Sequence, residues 1–190
     1  MTQEIEIEYK NLLLKNEFEQ LLNSLPFPEQ GKNQINHYFE TEDLSLKANG
    51  CALRIREKGG KYQLTLKEPH PDGLLETHDS LTEQEARNWL EGNIITKEHT
   101  SKQMQKKGIS IENLKYFGSL TTLRREAAYE GVLLVLDHSH YHNQEDFEFE
   151  LEAPSKETGS NVFNQILKDH QIIKRETPNK IERFFYSMEK

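Results

Sequence analysis

Charged and apolar residues alternate along two segments of the chain, one near each end. In residues 4–10 every even position is charged, while Ile5, Ile7 and Tyr9 hold the odd positions. In residues 146–152 every even position is acidic. Because alternate side chains of a strand share a face, each segment predicts a β-strand with one fully ionic face. Such a face is either solvated or, since carboxylates are ligands that hard divalent cations prefer, part of a metal site.

Basic residues gather on a second pair of strands. Gly59-Gly60 is a strong two-residue hairpin signal, and a turn there fixes the register of the strands on either side. In that register Arg54, Arg56 and Lys67 lie on one face, and apolar side chains lie on the other. A group of Arg and Lys side chains is suited to bind phosphate oxygens.

A third group carries charges of both signs. If Glu130-Gly131 forms a turn, Arg124 lies directly opposite Asp137. A further turn at Asn143-Gln144 would place Asp137 opposite Glu150, although Asn-Gln is a weaker turn signal than Gly-Gly. One face of the sheet would then carry acids on its first and last strands and bases on its central strands. A metal–polyphosphate complex requires this combination, because carboxylates hold the ion and basic side chains hold the phosphates.

The elements that must position these residues follow from the periodicity of the sequence. Alternation predicts strands at residues 3–10, 35–41, 51–58, 61–68, 74–79, 121–129, 132–141 and 146–152. Helical patterns, with N-caps at Asn16 and Thr82, predict helices at residues 16–24, 82–91, 98–118, 158–170 and 179–188. Amphipathic helices would cover the apolar face from outside, so the charged face would line a wet interior. We therefore expect one α+β domain over residues 1–190, an antiparallel β-barrel or highly curved sheet of about eight strands with a charged lumen and helices packed outside.

Composition limits the classes of function. The formal net charge of −8 argues against a general nucleic-acid surface, since such binding is driven largely by Lys and Arg. No segment approaches the roughly 20 apolar residues of a membrane span, and the first residues contain no signal-peptide core. Cys51, the single cysteine, can form no internal disulfide and suits a reducing compartment. We expect a cytoplasmic protein.

An ordered set of motifs spans nearly the whole chain: Glu6-x-Glu8-x-Lys10, Leu53-Arg54-Ile55-Arg56, Thr65-Leu66-Lys67, Arg124, Leu136-Asp137, Glu150-x-Glu152 and Lys180. In these motifs the chain resembles the CYTH family, also called triphosphate tunnel metalloenzymes. Residues 50–56 and 136–138 resemble the variant found in low-GC Gram-positive bacteria. The resemblance implies an eight-stranded antiparallel tunnel that takes a linear triphosphate, with Mg²⁺ or Mn²⁺, along its axis.

The resemblance also implies roles for individual residues. Phosphates would be bound by a basic set: Lys10, Arg54, Arg56, Lys67, Arg124 and Lys180. Metal ions or their waters would be held by an acidic set: Glu6, Glu8, Glu76, Asp137, Glu148, Glu150 and Glu152. Catalysis is expected to depend most on Glu6, Glu8, Lys10, Arg54 and Arg56. Thr122 stands where some members carry Lys, so this tunnel would have one cation fewer.

Members of the family include thiamine, inorganic and RNA triphosphatases and a class of adenylate cyclases. The chain lacks the His-Phe-x-x-Pro segment of the cyclase branch, so we expect hydrolysis, with tripolyphosphate preferred over nucleoside or thiamine triphosphate. Two alternatives are an adenylate cyclase and a sensor that binds polyphosphate or nucleotide without turnover. The expected partner is a small triphosphate rather than a membrane or nucleic acid, and the expected assembly is a monomer or homodimer.

His138, His140 and His142 alternate on the face opposite Asp137. A row of histidines can recruit a transition metal. A solvated strand near its turn produces such a row more often, and the sequence leaves both readings open.

Overall fold

The computed structural model describes residues 2–188, which contain nine strands and six α-helices. The strands are β1 (Gln3–Glu6), β2 (Glu8–Leu13), β3 (Lys32–Thr41), β4 (Ala52–Lys58), β5 (Lys61–His70), β6 (Gly73–Leu81), β7 (Leu114–Tyr129), β8 (Val132–Tyr141) and β9 (Gln144–Glu152). The helices are α1 (Lys15–Ser24), α2 (Ser45–Ala48), α3 (Glu83–Leu90), α4 (Glu98–Lys106), α5 (Lys156–Asp169) and α6 (Lys180–Met188), with a 3₁₀ turn at Ile111–Asn113.

The strands form an antiparallel sheet in the order β1-β6-β5-β4-β3-β7-β8-β9-β2. The chain divides into two compact units, the first with described residues 2–5 and 34–120 and the second with described residues 6–33 and 121–188. β7 runs through both units. The expectation of an antiparallel sheet with packed helices is confirmed, but the described residues contain nine strands rather than eight.

The ninth strand arises because the first predicted strand is split at Ile7. β1 borders β6, whereas β2 pairs with β9, with Glu8 opposite Glu152 and Lys10 opposite Glu150. A single run of alternating residues therefore supplies two short strands with different neighbours.

Tight hairpins set the register of the strands. Gly59 and Gly60 have φ angles of 58° and 73°, and Glu130 and Gly131 have φ angles of 47° and 78°. Positive φ at both central residues is the type I′ geometry that matches the twist of paired strands. The predicted pairings of Arg54 with Thr65 and of Arg124 with Asp137 are confirmed.

The third hairpin differs from the prediction. Its turn lies at His142-Asn143, so Asp137 pairs with Glu148 rather than with Glu150. The shift equals one full strand repeat, and both glutamates therefore remain on the face of Asp137.

The core of the first unit lies on the apolar face of β4 and β5. Leu53, Ile55, Leu64 and Leu66 are fully buried there, as the hairpin register predicts. α3 and α4 cover this face, and their contribution includes the fully buried Trp89. At about 25 cal/mol per Å² of buried apolar surface, such side chains contribute roughly 1.5–3 kcal/mol each.

The core of the second unit lies on the apolar face of β8 and β9. Phe18 and Leu21 of α1 and Phe163 of α5 pack there against residues that include Leu134 and Phe149. The predicted covering role of both amphipathic helices is confirmed within this unit.

Two local expectations about helices are corrected. The capping box at Thr82 is confirmed, but α1 is capped by the Glu17 carboxylate, which accepts from the Leu14 N–H at 2.7 Å, and not by Asn16. The predicted helix at 98–118 ends at Lys106, since Gly108 has a left-handed φ of 70°, with which an α-helix cannot continue. β7 consequently begins at Leu114, and α2 was not predicted. None of the helices in residues 2–188 has both the length and the apolar character that a membrane span requires.

Candidate functional site

The predicted basic residues of the first unit lie together on β4 and β5. We use the name basic cluster for Arg54, Arg56 and Lys67. The three side chains share one sheet face, because Arg54 pairs with Thr65 and Lys67 pairs with Ala52 across the hairpin. The Lys67 ammonium lies 2.5 Å from the Glu76 carboxylate, directly opposite on β6, and Arg54 lies 4.0 Å from the same oxygen.

Glu76 is the one member of the predicted acidic set in this unit, and it is buried. His78 lies beside it, with Nε2 3.4 Å from Glu76 and 3.1 Å from Glu4. The other ring nitrogen of His78 forms a 3.0 Å hydrogen bond with the Thr65 hydroxyl, which fixes the ring. Glu4, Glu76 and His78 thus offer one oxygen–oxygen–nitrogen donor group.

Buried amides on β3 adjoin the basic cluster. Asn36 pairs with Arg56 across the sheet and accepts a 3.0 Å hydrogen bond from its Nε. The remaining donor of Asn36, both polar atoms of Gln34 and the Nε of Arg54 are buried without a hydrogen-bond partner among the described residues. Unpaired buried donors are costly, and an anion that accepts from them would remove that cost.

The predicted acids of the second unit lie on β8 and β9. We use the name carboxylate cluster for Asp137, Glu148 and Glu150, all of which are buried. The alternative of a solvated face is therefore wrong for Glu148 and Glu150. The Lys180 ammonium of α6 lies 2.9 Å from Asp137 and 2.8 Å from Glu148, and it also contacts Glu150.

Two arginines complete the charge balance around the carboxylate cluster. Arg124 donates to Asp137 at 2.8 and 2.6 Å and to Glu150 at 2.7 Å. Arg183, one helical turn after Lys180, donates to Glu148 at 2.5 Å and to Asp146 at 3.0 Å. Three acids thus lie among three cations in a buried environment, where each charge depends on its partners.

The pKa values of this group reflect that dependence. Burial acts to raise the pKa of Asp137 and of Glu150, but the charges of Lys180 and Arg124 outweigh it and lower both. Burial raises the pKa of Glu148, and here the neighbouring cations do not reverse it. Burial acts to lower the pKa of Lys180, but the three carboxylates raise it instead. Lys180 therefore remains charged.

The acids of the N-terminal segment lie at the edge of the same unit. Glu8 and Glu152 are directly opposite each other on β2 and β9, and the Lys10 ammonium lies 2.9 Å from Glu8. Lys10 also donates to Asn179, just before α6. Glu6 ends β1 and is half-buried. The carboxylate cluster, Glu8 and Glu152 offer only oxygen donors, which are the ligands that Mg²⁺ and Mn²⁺ favour.

Sequence reasoning assigned no site role to Gln34, Asn36, His78 and Arg183, nor to Glu4 and Asp146, which lie on the predicted ionic faces. Alternation along β3 places Gln34 and Asn36 on one face, but this local signal does not show that they are buried. Thr122, which stands where some members of the resembled family carry Lys, is buried. Its hydroxyl forms a 2.9 Å hydrogen bond with the hydroxyl of Ser139. Arg183 could be found only from the way α6 packs.

Comparison with known proteins gives consistent results. A family model for the CYTH domain matches residues 4–185. YjbK of Bacillus subtilis (strain 168), which carries the provisional name of a triphosphatase, is 46% identical over 186 residues, covering 97% of this chain and 96% of that protein.

Solved structures agree on the fold. A crystal structure from Bacillus halodurans, provisionally named an adenylate cyclase, is 45% identical with a TM-score of 0.94, covering 97% of this chain and 100% of that one. HpAC1 from Hippeastrum, described as an adenylyl cyclase with a dominant triphosphatase activity, is 22% identical with a TM-score of 0.80, covering 96% of each chain. The second structure is similar in fold alone.

Proposed function

Because the chain belongs to the CYTH domain family, we propose that it hydrolyses a linear triphosphate in the presence of a divalent metal ion. The observation that carries the proposal is the basic cluster beside buried, unpaired donors of Arg54, Gln34 and Asn36. An acceptor-rich anion would satisfy these donors, and the oxygens of a polyphosphate are such acceptors. The name of the Bacillus subtilis relative supports the same assignment.

Arg54, Arg56 and Lys67 would bind phosphate oxygens and offset the negative charge that accumulates on them during phosphoryl transfer. Arg124 and Lys180 would bind phosphate in exchange for part of their present contacts with the carboxylate cluster, and Lys10 would assist. A strand or helix positions each basic side chain, and all but Arg54 have a close polar contact that limits their motion. Positioning and charge compensation account for most of the catalysis in phosphoryl transfer, so this preorganisation is the main contribution of the protein.

Metal ions would be held by carboxylates of the acidic set, which are Glu76 in the first unit and Glu6, Glu8, Asp137, Glu148, Glu150 and Glu152 in the second. When bound, Mg²⁺ or Mn²⁺ would supply Lewis-acid stabilisation of phosphate oxygens and acidify a coordinated water. Hydrolysis of tripolyphosphate consumes one water, breaks one P–O–P bond and yields orthophosphate and pyrophosphate. The proton released from water would pass to a carboxylate of the set.

Phosphate release from tripolyphosphate, ATP and thiamine triphosphate tests the proposal, with each substrate measured under Mg²⁺, Mn²⁺ and excess chelator. We expect tripolyphosphate to be hydrolysed fastest and turnover to cease with chelator. Tight binding of tripolyphosphate with no phosphate release from any substrate would instead identify a sensor.

An adenylate cyclase is the second candidate, because the Bacillus halodurans protein carries that provisional name. Cyclisation of ATP releases pyrophosphate and cyclic AMP, whereas hydrolysis at the terminal phosphate releases orthophosphate. Chromatography of the ATP reaction therefore separates the two activities. Cyclic AMP as the main product would replace the hydrolase assignment.

A further inference from the structure

The outer face of the β8–β9 hairpin carries a group of side chains that the proposed function does not use. His138 and His140 alternate with Asp137 along β8, so their side chains lie on the opposite face from the carboxylate cluster. Glu145 lies directly across the ladder from His140 and diagonally from His138. The hairpin closes through His142-Asn143 in two left-handed residues, so the spacing of the two strands is fixed close to the group.

The donor atoms of this group converge. The Nε2 of His138 lies 2.7 Å from a Glu145 carboxylate oxygen, and the Nε2 of His140 lies 3.5 Å from the same oxygen. One ligand atom from each of the three side chains lies within 4.8 Å of the other two. Metal–ligand bonds of about 2.1 Å at tetrahedral or octahedral angles separate neighbouring donors by roughly 3.0–3.4 Å. The observed separations bracket that range, so small side-chain rotations would complete the site.

The surroundings hold one ligand in place and leave access to the others. The His138 ring stacks on Phe147 with centroids 4.4 Å apart and an angle of 19° between the planes. Phe18 of α1 lies on the same ring at 6.2 Å. His140 and Glu145 are more than half exposed, so an ion from solvent can reach both. The three protein donors leave further coordination positions open to water or to another ligand.

We propose that His138, His140 and Glu145 bind a late first-row divalent cation, with Zn²⁺ as the preferred ion. Two imidazole nitrogens and one carboxylate oxygen form a donor set that suits Zn²⁺, whereas Mg²⁺ favours oxygen donors. This site is separate from the proposed triphosphate chemistry, because its residues lie on the face of the β8–β9 hairpin opposite the carboxylate cluster. The ordinary alternative is an ion pair between Glu145 and protonated histidines, which requires no metal.

Zinc titration of the metal-free protein, followed by competition with a chromogenic chelator, separates these readings. His140→Ala and Glu145→Gln remove one ligand each at exposed positions, so the fold is preserved. His142→Asn is the matched control, since His142 lies on the same hairpin but bonds Ser187 at 2.7 Å, and Asn tolerates its positive φ of 44°. We expect each ligand variant to weaken the binding of one zinc equivalent by at least about tenfold, and the control to bind as the wild type does.

Imidazole NMR signals provide a second readout. Zinc should shift the ring signals of His138 and His140 and leave those of His142 unchanged. Phosphate release with Mg²⁺ should be the same in His140→Ala as in the wild type, so failure of this site and failure of the proposed hydrolase are distinguishable. Equal zinc stoichiometry and affinity in the wild type and in His140→Ala, or no zinc binding by the wild type, would overturn the proposal.

Discussion

Arg124 lies directly across the β7–β8 ladder from Asp137 and binds it through two parallel hydrogen bonds of 2.8 and 2.6 Å. Asp137 is fully buried, and Arg124 also donates to Glu150 at 2.7 Å. One guanidinium thus compensates two buried carboxylates. Removal of one partner of a buried ion pair strongly destabilises a protein, because the remaining charge stays buried without compensation.

Arg124→Ala should therefore lower the free energy of unfolding by about 3–5 kcal/mol. Denaturation with urea measures the change. Arg125→Ala is the control, since the adjacent side chain donates to the Glu29 carbonyl at 3.1–3.2 Å and should cost only about 1 kcal/mol. If the two variants had the same free energy of unfolding, the ion pair between Arg124 and Asp137 would not be a major source of stability.

Arg54→Ala should reduce kcat/KM for tripolyphosphate by at least about 100-fold, because one donor to the developing phosphate charge is removed. The fold should persist, since Lys67 remains 2.5 Å from Glu76 after the loss of Arg54. Steady-state phosphate release and thermal unfolding test the two statements. Arg87→Ala, at an exposed position of α3, should change neither quantity. Wild-type turnover in both Arg54→Ala and Arg56→Ala would remove the basic cluster from the mechanism.

Acid should destabilise the protein through Asp137 and Glu150, whose pKa values are lowered. Their stabilising contribution is present above the unfolded pKa values of about 4 and is lost as the pH falls through the lower folded values. Glu148 acts in the opposite direction: its raised pKa contributes stability below its unfolded value, which is lost as the pH rises. Asp137 and Glu150 together should outweigh Glu148. The urea concentration at the unfolding midpoint should therefore decrease as the pH is lowered below about 4.

Lys180→Met should make this acid dependence shallower, because the pKa values of Asp137 and Glu150 would no longer be lowered by the ammonium. Lys168→Met on α5 is the control and should keep the wild-type dependence. The explanation fails if the midpoints of the wild type and Lys180→Met decline in parallel.

Cys51 should be almost unreactive in the native protein. Burial raises the pKa of its thiol to about 11, so the thiolate fraction at pH 8 is small. Titration with a chromogenic disulfide should show a slow thiol in buffer and a fast one in denaturant. Lys61→Cys, which adds a thiol at an exposed position, should contribute one rapid equivalent while Cys51 remains slow. Rapid reaction of the wild type in buffer would contradict the burial of Cys51.

Gly159→Ala should destabilise the protein although Ala is the better helix former. A methyl group at this position of α5 would lie 2.5 Å from the Tyr9 ring and 2.8 Å from the Ala153 side chain. The Tyr9 hydroxyl donates to the Lys156 carbonyl at 2.8 Å, so the ring cannot easily move. We expect a loss of about 1–3 kcal/mol, measured by urea denaturation. Asn161→Ala, at an exposed position of α5, should be neutral or stabilising; an equal effect would exclude the steric explanation.

Two hairpin registers were predictable from local sequence, at Gly59-Gly60 and at Glu130-Gly131. A two-residue turn fixes the pairing of both strands, and the two-residue side-chain period then fixes the face of every residue. Arg54, Arg56 and Lys67, and Arg124 against Asp137, were found in this way. The third turn was misplaced because His142-Asn143 contains no glycine, yet the period of two kept Glu148 and Glu150 on the predicted face.

The sequence by itself therefore determined the charged and apolar faces of the sheet, because the alternation of side chains is a local property of each strand. Only the tertiary structure decided which charges from segments far apart in the sequence meet. Lys180 reaches acids at positions 137, 148 and 150 because α6 packs against them, and packing depends on contacts between distant segments. For the same reason the split of the first strand at Ile7 and the burial of Gln34 and Asn36 could not be read from local pattern.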